Sequence, residues 1–101
     1  MIEYRYDEEK QFAQYFANVL NEEIVLNIFH TGTVQNADEA RRLSRFFWKM
    51  VDKSIEMEKA GTKFPWVENA EYWTEKLYNT FGGYLERIGY GEIWDEEVDN
   101  A

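Results

Sequence analysis

The sequence predicts a mostly α single domain, a small three-helix bundle, with a minor two-stranded β element (an α+β fold) as the alternative. Three observations carry that expectation. Residues 36–61 show apolar side chains at helical spacing along one long stretch. Two further segments, one before and one after it, repeat that spacing. The chain has 101 residues, 45% of them hydrophobic, with four Trp, seven Tyr and seven Phe, which is enough bulk for one core.

Residues 2–6, Ile-Glu-Tyr-Arg-Tyr, alternate apolar and polar. They read as a short strand, or equally as an ordered arm laying Ile2, Tyr4 and Tyr6 on the bundle. A lone strand needs a partner, and residues 24–29 are the candidate. Asp7-Glu8-Glu9 reads as a helix start, with Asp7 as cap and the glutamates in the first turn. Phe12, Tyr15, Phe16, Val19 and Leu20 then share a face. Ile24-Val25-Leu26-Asn27-Ile28-Phe29 is nearly continuous and rich in β-branched residues. One helix running to His30 and closing near Gly32 is preferred over a strand, because Asn21 is the only turn residue between the two patterns.

The middle helix is the best defined. Asn36 is suited to cap it, Asp38 and Glu39 place negative charge at the positive end of its dipole, and Gly61 is suited to end it. Stepping about 100° per residue, Leu43, Phe46, Phe47, Met50, Val51 and Met57 align, and Trp48 and Ile55 widen the arc to about half the circumference. A helix that apolar contacts more than one neighbour. A loop follows, containing the only proline, in which Phe64 and Trp66 are placed to pin it to the bundle. Glu68 to Ile88 reads as the third helix, with Trp73, Leu77, Phe81, Tyr84, Leu85 and Ile88 on one face. Gly82-Gly83 inside it suggests a kink, or close approach by another backbone. Ile93 and Trp94 are placed to fold back as a clasp. Residues 1–94 are thus read as one helical domain and residues 95–101 as an acidic flexible tail.

The net charge is −9, unevenly distributed. Residues 1–39 carry 8 acidic and 2 basic groups, residues 40–67 carry 3 and 7, and residues 68–101 carry 9 and 2. A basic middle is flanked by acidic ends, which implies internal complementarity. Overall acidity speaks against direct binding of duplex nucleic acid. The absence of cysteine excludes disulfides and thiolate chemistry. No run of apolar residues is long enough for a membrane span, and the first residues lack signal-peptide character, so a cytoplasmic protein is expected.

Catalytic constellations are missing, and no enzyme activity, cofactor or metal is expected. His30 is the only histidine. Glu23, Asn27 and His30 have i, i+4, i+7 spacing, but a histidine near a helix C-terminus more simply meets free carbonyls. Binding is the better reading. Glu68, Glu71, Glu75 and Glu86 fall mostly on the face of the third helix away from its apolar stripe, with the tail acids beyond them. Rows of carboxylates on rigid helices imitate spaced phosphates and attract basic protein surfaces. The expected function is therefore an acidic protein–protein interaction module. Its most concrete form is a small inhibitor that occludes the basic surface of a nucleic-acid-handling protein, analogous in general character to acidic helical inhibitors made by viruses, which act in the host cytoplasm. Trp48, at the margin of the central apolar arc, is the candidate interface anchor, in a homodimer or against another protein. Two alternatives remain: an assembly subunit that self-associates through exposed aromatics, and a phosphate-ligand binder using Arg41, Arg42, Arg45 and Lys49.

Overall fold

The computed structural model describes residues 1–61 and 70–99, with side chains at 70 and 71 outside that description. Among the described residues there are five helices and no strand: α1 (Asp7–Val19), α2 (Glu23–Thr31), α3 (Ala37–Lys59), α4 (Ala70–Arg87) and α5 (Gly91–Asp99). The mostly helical class holds. The count of three does not, and the two-stranded element is not seen. Among the described helices none is long and apolar enough to cross a membrane.

The expected first helix is two helices because Asn21 adopts the left-handed region at φ 56°. Its N–H donates to the Asn18 carbonyl at 3.1 Å, and the Glu22 N–H reaches back to the Ala17 carbonyl at 2.9 Å. These two bonds form a Schellman closure, which satisfies the last carbonyls of α1 and turns the chain. Asparagine pays less than most side chains to sit there. Gly32, at φ 74°, ends α2 in the same region. Gly89, at φ 91°, follows α4, where the Tyr90 N–H bonds the Leu85 carbonyl at 2.7 Å.

The helix starts differ from expectation in one place. Asn36 caps α3 through its side chain, which accepts the Glu39 N–H at 2.9 Å, and Glu39 in turn accepts the Gln35 N–H at 3.1 Å. Asp7 does not cap α1. Tyr6 occupies the cap position without a side-chain bond, and Asp7 is the first helical residue. Glu9 instead ties the preceding segment to the helix, its Oε2 accepting the Arg5 N–H at 3.1 Å.

Residues 1–6 form an extended arm rather than a strand. The Ile2 N–H bonds the Gly32 carbonyl, Ile2 is buried, and Tyr4 meets the edges of Phe29 and Phe81. Helix α3 packs against each of the other four, the central position that its wide apolar arc implied. Leu43, Phe46, Phe47 and Met50 are buried along it, together with Ser44 and Ser54, whose hydroxyls donate to carbonyls of their own helix. Phe29 and Phe81 stack at 5.8 Å between centroids, and Phe46 meets Phe29 edge-on. The Tyr84 hydroxyl accepts the Val34 N–H at 2.9 Å and so ties the α2–α3 loop to α4.

Helix α4 runs through Gly82-Gly83 without interruption. Gly82 serves close approach, by a side chain of the same chain: a Cβ there would lie 2.7 Å from Trp94 Nε1 and 2.9 Å from Cε2. Trp94 is buried against Phe47 and Tyr78, as the expected clasp, while Ile93 packs half-buried on the core. The helix that carries Trp94 continues to Asp99, so residues 95–99 are the second half of α5 instead of a tail. Phe64 and Trp66 lie outside the described residues.

The two adjacent glycines should respond oppositely to alanine. Gly82→Ala gains about 1 kcal/mol of helix propensity but forces the indole from its seat, an overpacking cost of about 1–3 kcal/mol. It is expected to lower the urea midpoint. At Gly83 the nearest atom to an added Cβ is Arg87 Nη1 at 3.9 Å. Gly83→Ala is therefore expected to raise the midpoint, by about 0.5–1 kcal/mol of stability.

Tyr4 generates a pH prediction. Its hydroxyl is buried with no hydrogen-bond partner among the described residues. Burial pushes the phenol well above the ordinary tyrosine range, and the neighbouring Glu9 carboxylate pushes it further. The folded chain thus holds the proton more tightly than the unfolded chain. Tyr4 contributes stability below about pH 10, and that contribution is lost as pH rises beyond it. Alkaline urea titrations of Tyr4→Phe should show a shallower fall than the parent, with stability at pH 7 equal to or above the parent's, since phenylalanine leaves no unpaired hydroxyl.

Candidate functional site: the acidic groove between α3 and α4

The four candidate phosphate-binding cations do come together, on the outer face of α3. Each is matched by a carboxylate. Lys49 Nζ lies 2.6 Å from Glu22, and Arg42 Nε lies 3.0 Å from Asp38. Arg45 Nε bonds both oxygens of Glu97 at 3.2 Å, and Arg41 Nε stands 3.7 Å from the same carboxylate. Glu97, expected in the tail, reaches them because α5 is docked by Trp94. The four cations, with Glu22 and Asp38, border a recess of about 290 Å³. A phosphate entering it would have to displace carboxylates already in place. The complementarity that the charge pattern implied is thus internal, within α3 for Arg42 and Asp38 and between α3 and its acidic neighbours Glu22 and Glu97 for the rest.

The acidic candidates are dispersed. Glu75 and Glu86 are both exposed on α4, separated by three turns, or about 16 Å along the axis. Glu71 belongs to α4 with its side chain undescribed, and Glu68 lies outside the described residues. Glu92, Asp95 and Glu96 are exposed on α5, while Glu97 is committed to the arginines. No continuous carboxylate row is assembled from the described candidates.

The structure instead places Glu75 with Trp48. Both line a groove of about 560 Å³ between the second half of α3 and the first half of α4. Phe47 and Val51 line its α3 wall, and Tyr78 faces them from α4. Ile55 is 45% exposed and Tyr78 37% exposed. Two carboxylates, Glu58 of α3 and Glu75 of α4, also line the groove. The Trp48 indole N–H is shut from water without an acceptor among the described residues. Such an unpaired donor costs about 1–3 kcal/mol.

Glu58 and Ile55 were not legible as site residues. The available signal was the excess width of the α3 arc: Trp48, Val51, Ile55 and Glu58 recur at three- and four-residue spacing on its flank. Among the described residues no group of His, Asp and Glu side chains converges to hold a metal ion, and His30 is exposed at the end of α2.

Glu97→Gln tests the neutralisation of the basic stripe. It should lower stability by about 1 kcal/mol, because Glu97 is mostly covered while the Arg45 and Arg41 side chains that it meets keep 60% and 39% of their surface in water. It should also increase retention on a heparin column, since two guanidinium groups lose their shared counter-charge.

Comparison with protein-family models, curated proteins and solved structures finds no match to this chain.

Proposed function

We propose that this chain is an acidic protein-interaction module whose partner presents a basic surface, most concretely an inhibitor that occludes the nucleic-acid-binding face of that partner. One observation carries the reading. Arg41, Arg42, Arg45 and Lys49 all lie against Glu22, Asp38 or Glu97, with Glu97 shared by two arginines, so most of the charge of the basic stripe is offset inside the molecule. The excess negative charge is what a partner meets. Long-range attraction of a basic surface follows, with fast association that salt suppresses. The exposed Ile55 and Tyr78 beside Glu58 and Glu75 supply the short-range contact that a purely electrostatic encounter lacks.

The test is affinity capture from a nuclease-treated cell lysate, washed in rising salt and read by mass spectrometry, with duplex DNA added as competitor. Recovery of a nucleic-acid-binding protein that both salt and DNA release supports the proposal. Recovery of nothing except the chain itself overturns it in favour of self-assembly.

A further inference from the structure

The α3–α4 groove has a shape that specifies more than charge. Its α3 wall extends from Phe47 to Glu58, three helical turns, or about 16 Å. Ile55, Glu58, Glu75 and Tyr78 are exposed along the groove. An enclosed pocket suits a small molecule, while an open apolar trough between two helices suits a third helix laid along it. Three turns accommodate anchors at i, i+3 or i+4, and i+7. The carboxylates Glu58 and Glu75 come from opposite walls, and the net charge is −9.

We infer that this groove receives one amphipathic helix of a partner protein, whose apolar stripe lies on Trp48, Val51, Ile55 and Tyr78 and whose lysines or arginines meet Glu58 and Glu75. The inference rests on the reading of the chain as a protein-binding module, and names the element of the partner that it holds. Apolar contact supplies the register. The flanking carboxylates select basic helices over acidic ones, which they repel.

The probe is a fluorescein-labelled synthetic peptide of about 15 residues, with leucines at three- and four-residue spacing and lysines on the other face. Two control peptides replace either all leucines by serine or all lysines by glutamate. Binding to the full chain is measured by fluorescence anisotropy, and the Trp48 indole N–H, assigned with Trp48→Phe, is followed by NMR. The parent peptide should bind and shift the Trp48 resonance, and both controls should fail. Ile55→Asp should weaken binding by about tenfold or more, the loss of one good anchor. That substitution is at an exposed position, so the helices should persist by circular dichroism. It also makes the chain more negative, so attraction by charge alone would hold or rise.

Unchanged affinity in Ile55→Asp, or an unmoved Trp48 resonance, overturns the groove assignment. Either result leaves the salt-released capture from lysate standing, so the two readings fail separately. A Trp48 resonance that moves in Trp66→Ala without peptide gives the groove to this chain's own 62–69 segment and also overturns the assignment. So does a dimer in analytical ultracentrifugation that Ile55→Asp dissociates, which gives it to a second copy.

Discussion

The seating of the Trp94 indole on Gly82 is the contact on which most of this structure depends. A nine-residue helix such as α5 has little stability of its own, since nucleation is costly and the propagated length short. It exists as a docked element because one large ring enters the space that a missing side chain leaves on α4. Phe47 of α3 and Tyr78 of α4 complete that seat, each 5.4 Å from the Trp94 ring between centroids. One aromatic contact therefore joins three helices. It also settles the electrostatics, because docking α5 is what brings Glu97 to Arg41 and Arg45.

The same cluster relates the core to the groove. Phe47 and Tyr78 belong to both. Phe47 is buried between Trp94 and Trp48, its ring 5.1 Å from that of Trp48, while Tyr78 is exposed on the groove side. A helix whose apolar arc spans about half its circumference needs neighbours around that whole arc. The described elements cover most of the α3 arc and leave the Trp48–Ile55 flank half-open. Ile55 and Tyr78 are the apolar side chains that this flank leaves most exposed, at 45% and 37%.

Buried polar groups report how tightly the fold is specified elsewhere. Glu9 is 1% exposed, yet its Oε2 accepts from the Arg5 N–H and from the Thr80 hydroxyl at 3.2 Å. Those two bonds fix the N-terminal arm and α4 to the same carboxylate. A buried carboxylate is tolerated only when donors surround it. Tyr4, close by, contributes ring contacts to Phe29 and Phe81 while its hydroxyl finds no partner. Packing of the ring outweighs the cost of the orphaned hydroxyl, which is the balance expected of a tyrosine recruited for its size.

The sequence by itself determined the helical class, the central role of α3, its Asn36 cap and the self-complementary charge pattern. All of these follow from local spacing, capping chemistry and charge counting, which act over one or two turns. It also held the break at Asn21 as a weak signal, since asparagine tolerates the left-handed region without requiring it. Only the tertiary structure decided the rest. That Gly82 accommodates an indole, that residues 95–99 are helical and that Glu97 belongs to the arginines all depend on contacts spanning 12 or more positions in the chain, such as Gly82 with Trp94 and Arg45 with Glu97. The joining of Trp48 with Glu75 in one groove is decided in the same way. No periodicity in either helix records where the face of the other will lie, because that depends on how the whole set of side chains fills the space between them.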